Sequence, residues 1–407
     1  MAEGACCPTG DAPDRVTAQP CCVPAPSEPE PRNCGPDRSA EPCCGSAAEA
    51  VTARWPDRER PGYRIWPFVE GWIETPAGEV PRVSTRLAPA DVLGRWAMRW
   101  GIGRDRYRVA PGLYAVGHPD ENAPVLVTAN YKMTFDLLRR DLAGVDAWIL
   151  VLETHGINVW CAAGKGTFGT DELVNRLRAA GVERVVRHRT LVVPQLGATG
   201  VSAPEVRRRT GFQVVYGPVR GRDLKAFLAA GLKATAGMRR VTFTLGERLV
   251  LTPVELRVIL LRPSLALAAA LLVLGGIGPG GYSAAAALHR GGAAVLSLLA
   301  GVVAGAVATP ALLPWLPGRM FSLKGLWTGL AGALLLVLRF AGALSGWDAL
   351  ALLLALPAVS STCAMNFTGS TPFTSPSGVE LEMRRSLPWQ IGAGALALLA
   401  WLAGAWH

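Results

Sequence analysis

Charge runs out two thirds of the way along this chain. From Ser264 to His407 there are six Lys or Arg (Arg290, Arg319, Lys324, Arg339, Arg384, Arg385) and three acids (Asp348, Glu380, Glu382); the other 63 charges lie in the first 263 residues. A polar half is therefore followed by an apolar half. The net charge of +10 comes without a basic stripe interleaved with aromatics, which argues against a nucleic-acid partner. A basic excess of this kind fits a membrane surface more simply. No apolar run follows the start, so no secretory leader is expected. Nor do the cysteines show C-x2-C-x2-C spacing, which excludes a resident iron–sulfur cluster of that type.

Residues 1 to 60 are rich in Pro, Ala, Glu and Cys and lack aliphatic periodicity. Such a composition cannot bury enough apolar area to offset chain entropy, and a disordered tail is expected. Seven of the nine cysteines fall there: Cys6, Cys7, Cys21, Cys22, Cys34, Cys43 and Cys44. An odd number with no core to staple does not read as a disulfide framework. In a reducing compartment, paired thiolates favour soft metals. A compositionally biased extension without a role is the competing reading.

From residue 61 to 255 the pattern alternates between strand and helix. "PVLVTANY" (124–131) and "AWILVLET" (147–154) read as buried strands around the helix "FDLLRRDLA". "TDELVNRLRAAG" (170–181) reads as a helix with Thr170 as N-cap, followed by "LVVPQLG", "APEVRRRTG", "FQVVYGP" and "GRDLKAFLAAG". Alternation of this length predicts a parallel sheet, hence an α/β, Rossmann-like three-layer domain. Residues 256–407 predict an all-α transmembrane domain of five helices, at about 264–286, 291–313, 325–345, 348–367 and 388–406. Arg257, Arg262, Arg319, Lys324, Arg384 and Arg385 fall on one side and Arg290 on the other. That bias places the α/β half in the cytoplasm, with the chain multi-pass in the cytoplasmic (inner) membrane. Gly301/Gly305, Gly325/Gly329 and Gly342/Gly346 have the spacing of close helix contacts. Arg339, inside the third expected span, is expected to face a partner or to snorkel.

The stretch "GINVWCAAGKGTFGTDELV" (156–174) holds the one cysteine of the α/β half, Cys161. Gly164, Gly166 and Gly169 spell G-x-G-x-x-G, but nine residues intervene between the strand end near Thr154 and Gly164, and Glu183 follows a helix rather than a second strand. A Walker A loop fails because Val159 stands at its first glycine. As a nucleophile, Cys161 has His155 nearby but no orienting partner that can be placed. "WCAA" also suits the small, buried face of a short helix.

"NVWCAAGK" (158–165) resembles the motif of the mercury-methylating corrinoid protein family (HgcA-type). It is also similar to the cap-helix region of the corrinoid iron–sulfur protein large subunit, where an alanine-rich sequence replaces the cysteine. The likeness extends through "VTANYKMTFD", "VVPQLGATGVSAPEVRRRTGFQVVYGPV" and "MNFTGSTPFTSPSGVELEMR", over roughly residues 60 to 407. The resemblance implies a cobalamin cofactor whose cobalt is held from its lower face by the Cys161 thiolate, and a corrinoid-dependent methyltransferase that methylates Hg(II). A methyl group leaving as a carbanion leaves Co(III), which a strongly donating thiolate stabilises. Soft Hg(II) suits the acceptor role. The neighbours expected to contact the cofactor are Asn158, Val159, Trp160, Ala162, Ala163, Gly164 and Lys165, the alanines and glycine by letting a backbone approach a flat macrocycle and Lys165 by lowering the thiol pKa. Thr128, Asn130, Gln195, Gly197 and Thr199 stand at or just after strand ends, where open α/β sheets bind ligands. The resemblance also implies a ferredoxin-like partner with two [4Fe-4S] clusters and a methyl donor derived from methyltetrahydrofolate. The tail pairs Cys6/Cys7, Cys21/Cys22 and Cys43/Cys44 are expected to capture Hg(II). The segment 366–378 is expected to fold over the cofactor or to dock the α/β domain, and Cys363 to serve packing. A membrane-bound corrinoid methyl carrier of one-carbon metabolism is the alternative.

Overall fold

The computed structural model describes residues 62–259, 262–368 and 376–406. The Cys-rich tail, with Cys6, Cys7, Cys21, Cys22, Cys43 and Cys44, and most of the 366–378 segment lie outside the described residues.

Two short strands, β1 (Val69–Thr75) and β2 (Gly78–Val83), pair as an antiparallel hairpin. Helix α1 (Pro89–Arg99) follows, then β3 (Gly112–Val116) and β4 (Val125–Ala129). Helix α2 (Lys132–Asp141) leads to β5 (Ala147–Leu152). Three helices, α3 (Val159–Gly164), α4 (Thr170–Ala179) and α5 (Val182–Val185), precede β6 (Thr190–Val193). The domain continues through α6 (Ala203–Thr210), β7 (Gln213–Tyr216) and α7 (Leu224–Ala229). The strand order is β1-β2-β3-β5-β4-β6-β7.

The expected parallel sheet is present in part. β5, β4, β6 and β7 are mutually parallel, but β3 runs antiparallel to β5 and β1 antiparallel to β2. The eight residues 117–124 that join β3 to β4 explain the reversal. Parallel strands need a crossover of about a dozen residues or more, whereas a short loop returns the chain at the same end only if its direction flips. Alternation along β4 splits its side chains between two cores. Val125 and Val127 join Leu173, Val174, Leu177 and Val206 from α4 and α6. Leu126 joins Phe135, Leu142, Leu224 and Phe227 from α2 and α7. With both faces covered, β4 and β5 are buried at every residue, which is why they read as continuous apolar runs.

Polar groups fasten the first segment onto this layer. On α2, Lys132 and Arg139 are fully buried and pair with Asp136 and with Asp91 of α1, at 2.6 to 2.8 Å. Helix α4 is capped by Gly169, not by the expected Thr170, whose hydroxyl instead accepts from Ser202 N at 2.9 Å. Beyond residue 240, α8 (Leu245–Leu249) and α9 (Thr252–Ile259) pack on the apolar helices. Arg248 donates to Ala311 O at 3.2 Å, and Leu256 packs with Val302, Ala306 and Cys363.

Among the described residues, four helices are long and apolar enough to cross a bilayer: Ala284–Leu312, Phe321–Arg339, Gly346–Phe367 and Gly378–Ala403. The first expected span, 264–286, is instead α10 (Arg262–Gly275), followed by a two-residue hairpin pairing Ile277–Gly278 with Gly281–Tyr282. The run "GGIGPGGY" ends the helix there. Fourteen residues at a rise of ~1.5 Å reach about 21 Å, short of a ~30 Å hydrocarbon layer. The last helix starts at Pro376, twelve residues before the expected 388, and keeps Pro388 inside it. Arg339 is the final residue of its helix, so it sits at the span's end rather than within it.

Two of the three glycine pairs make the contacts their spacing predicts. A Cβ at Gly305 would stand 2.3 Å from Ser360 O, and one at Gly325 would stand 2.6 Å from the same oxygen. Gly329 approaches Leu356 O as closely, and Gly301 lies against Val359, so all four meet the helix Gly346–Phe367. Gly342 and Gly346 face open space.

Candidate functional site

The chain leaves β4 toward α2 on one face and leaves β5 and β6 toward α3, α4 and α6 on the other. Ligands of open α/β sheets bind where such loops diverge, at the carboxyl ends of the parallel strands. Four segments meet there: residues 130–131, 153–161, 194–200 and the residues after Tyr216.

The 153–158 loop is held from below by Asn130, which is fully buried. Its Oδ1 accepts from Gly156 N at 2.9 Å, Thr154 Oγ1 at 2.9 Å and Thr154 N at 3.2 Å, while Nδ2 donates to Glu153 Oε1 at 2.7 Å. The other oxygen of Glu153 accepts from the Tyr63 hydroxyl. Burial and the Glu153 carboxylate push that phenol up to about 12. His155 adopts a φ of 56°, a conformation costly for a side-chain-bearing residue, and its N–H is tied to Glu153 Oε1 at 2.7 Å. The loop thus turns sharply before α3 begins.

Asn158 caps α3, its side chain accepting from Cys161 N at 2.9 Å. The helix buries Val159, Ala162 and Ala163 and leaves Trp160 and Cys161 half-exposed, with Gly164 and Lys165 exposed. So "WCAA" is divided: the alanines pack and the cysteine does not. Burial pushes the Cys161 thiol above the ordinary thiol value. Arg104, a hydrogen bond from the Asn158 side chain, Lys165 and the residue's own N–H oppose that shift without cancelling it. The expected net lowering by Lys165 does not occur, because desolvation outweighs one exposed ammonium.

The 195–200 turn packs against α3. A Cβ at Gly200 would stand 2.1 Å from Phe168 O and 3.1 Å from Ala163 Cα, and one at Gly197 would meet the Phe168 ring at 2.5 Å. Thr199 is exposed beside it, and Gln195 accepts from Arg239 at 2.6 Å. Of the residues expected to contact a cofactor, Asn158, Trp160, Cys161, Gly164, Lys165, Gln195 and Thr199 reach the open side. Thr128, Asn130, Val159, Ala162, Ala163 and Gly197 lie beneath it: strand burial holds Thr128, hydrogen bonding holds Asn130, and packing holds the rest. Arg104, Glu153 and Tyr63 were not foreseen. Arg104 is 57 residues away from Cys161 in sequence, and no local pattern links them.

Among the described residues no group of three or more His, Cys, Asp or Glu gathers to cage a metal ion. A corrinoid does not need one. Its ring nitrogens hold most of the metal's coordination, so a protein would need to add only one donor beside an open, small-residue surface. A half-exposed thiol one turn from Gly164, where a Cβ would meet nothing within 4 Å, fits that requirement.

The fold and site define an α/β domain that presents one cysteine on a capped helix at the carboxyl edge of its parallel strands, followed by apolar helices. Residues 97–228 match the family described as CO dehydrogenase/acetyl-CoA synthase delta subunit. The gamma subunit of the acetyl-CoA decarbonylase/synthase complex of Methanopyrus kandleri is 36% identical over 127 residues, 31% of this chain and 27% of the relative. The corresponding subunit of Archaeoglobus fulgidus is 32% identical over 127 residues, again 31% of this chain and 27% of the relative. The gamma 2 subunit of Methanosarcina thermophila is 33% identical over 111 residues, 26% of this chain and 23% of the relative. The chain thus spans about a quarter of the length of these relatives. The matched region holds β3 to β7 and α3, and leaves out the β1–β2 hairpin and every apolar helix.

Proposed function

We propose that this chain is a membrane-anchored corrinoid methyltransferase that holds cobalamin through Cys161 and delivers a methyl group to Hg(II). The observation that carries this reading is the placement of Cys161: a lone sulfur, half-exposed on the first turn of a rigidly seated helix, inside the region matching the CO dehydrogenase/acetyl-CoA synthase family. Cobalamin, when bound, supplies the cobalt that carries the methyl group from donor to acceptor. Cys161 would hold the cobalt through its sulfur and would lose its proton on binding, because only the thiolate ligates. Asn158 fixes the turn that aims the sulfur. Arg104 and Lys165 stabilise the anion against the desolvation around it. Trp160, Gly164, Gln195 and Thr199 are the exposed or half-exposed residues that would contact the cofactor.

The methyl donor is a methyltetrahydrofolate derivative, and electrons come from a ferredoxin-like partner with two [4Fe-4S] clusters. The apolar helices anchor the chain in the cytoplasmic membrane with the α/β domain on the cytoplasmic side, consistent with Arg319, Lys324, Arg384 and Arg385 at that end. The tail cysteines capture Hg(II) as substrate.

The test is the visible spectrum of the corrinoid-loaded full chain beside its Cys161→Ala variant. Thiolate-ligated cobalt in the first and its loss in the second is expected, with methylmercury formed by the first only. Identical spectra overturn Cys161 as the cobalt ligand. A second reading, a methyl carrier of one-carbon metabolism, is favoured by the names of the matched relatives. Methylated chain that ignores Hg(II) but passes its methyl group to another acceptor selects it.

A further inference from the structure

The matched family and the proposed chemistry leave α1 without a purpose. Its inner face is fixed: Asp91 pairs with Lys132 and Arg139, Met98 is buried, and Gly94 lies so close to Tyr107 that a Cβ would stand 2.4 Å from its hydroxyl. The helix cannot rotate to hide its other side. That side carries Val92, Leu93, Trp96 and Trp100, spaced one helical turn apart, with Leu93 69% and Trp96 59% exposed. Ile102, just beyond the helix, is exposed as well. Arg95 and Arg99 border the stripe, and Arg104 and Arg106 follow it.

The end of α1 abuts the apolar half. Gly101 lies against Val254 and Arg257 of α9, and Arg257 donates to Trp100 O at 3.0 Å. Leu256, beside Arg257 in the chain, is packed among Val302, Ala306 and Cys363 of the apolar helices. The stripe is therefore continuous with the polar-half end of the helical bundle. Tryptophans beside arginines on one helix face are the composition of a helix lying in the interface plane, where indoles sit at headgroup level and guanidinium groups meet anionic phosphates.

We propose that α1 is an interfacial helix, seated by Val92, Leu93, Trp96, Trp100 and Ile102 in the headgroup layer of an anionic bilayer. The proposal rests on the reading of the apolar helices as membrane-spanning. It adds a second attachment, which fixes the tilt of the α/β domain over the lipid surface.

The test places a photo-crosslinking benzoylphenylalanine at single positions of the full chain reconstituted in vesicles of phosphatidylethanolamine and phosphatidylglycerol. The positions are Leu93, Leu335 on the helix Phe321–Arg339, and Arg187 at the amino end of the parallel strands. Lipid adducts at 93 and 335 and none at 187 are expected, with a loss of yield at 93 alone when Trp96→Glu and Trp100→Glu are added. Adducts at 335 without 93 overturn the interfacial helix and leave the membrane reading standing. Adducts at neither position overturn both. Cross-linking of position 93 to a second copy of the chain, or equal adducts at 187, also overturns the proposal.

Discussion

Truncation of Asn130 separates two roles that its position at a strand end allows. The side chain makes four hydrogen bonds within the protein and is fully buried. In Asn130→Ala, the N–H groups of Gly156 and Thr154 lose their acceptor in a region closed to water. Each orphaned group costs about 1–3 kcal/mol, so the pair costs roughly 2–6 kcal/mol. The net stability of a domain is only ~5–15 kcal/mol. With a urea slope near 2 kcal/mol per molar, a loss of about 4 kcal/mol moves the unfolding midpoint down by roughly 2 M. The assay is urea unfolding of the detergent-solubilised chain without cofactor, followed by near-ultraviolet circular dichroism. Asn130→Asp keeps an acceptor but sets a second carboxylate where Nδ2 stood, 2.7 Å from Glu153 Oε1. Its deficit should shrink as pH falls and one carboxylate takes up a proton. An Asn130→Ala chain as stable as the parent, yet unable to retain corrinoid, would refute the reasoning and make Asn130 a direct ligand contact.

Four further outcomes test the site and the helices. The Cys161 thiol is raised above its ordinary value, so its alkylation should climb about tenfold per pH unit through neutrality and keep rising past pH 8; peptide mass spectrometry reads the rate, and a plateau below pH 8 contradicts the burial argument. Arg104→Ala removes the largest opposing influence and should slow that alkylation at fixed pH. Asn158→Ala should cost about 1 kcal/mol through the lost cap, and it should also slow alkylation because the thiolate loses a hydrogen bond. Gly325→Leu drives a side chain into Ser360 O and should lower detergent stability by about 1–3 kcal/mol, whereas Gly342→Leu, in open space, should leave thermal unfolding unchanged.

What the sequence disclosed follows from what periodicity encodes. Continuous apolar runs mark β4 and β5 because helices cover both faces, and the helix between them shows its buried Phe135 and Leu142 at helical spacing. Direction leaves no such mark, so the reversed β3 and the β1–β2 hairpin were invisible. The motif located α3, yet composition could not say which small residues pack and which face outward. That depends on Gly200 closing over Ala163, a contact between segments 37 residues apart. Arg104 near Cys161 is likewise a product of folding. In the apolar half, hydropathy located four helices long and apolar enough to cross a bilayer, but it placed Arg339 inside one and extended a fifth, shorter helix through "GGIGPGGY". A hydropathy window averages over glycine, while the backbone stops at it.

The seating of α3 has a mechanical consequence. Asn130 holds the loop before the helix, Asn158 locks its first turn, and Gly200 and Phe168 press on its alanine face with no room for even a methyl group. Cys161 is thus a fixed post, not a hinged arm. Any reaction that lengthens or shortens a bond to this sulfur must be accommodated by displacing the ligand, because the helix that carries the sulfur has nowhere to go.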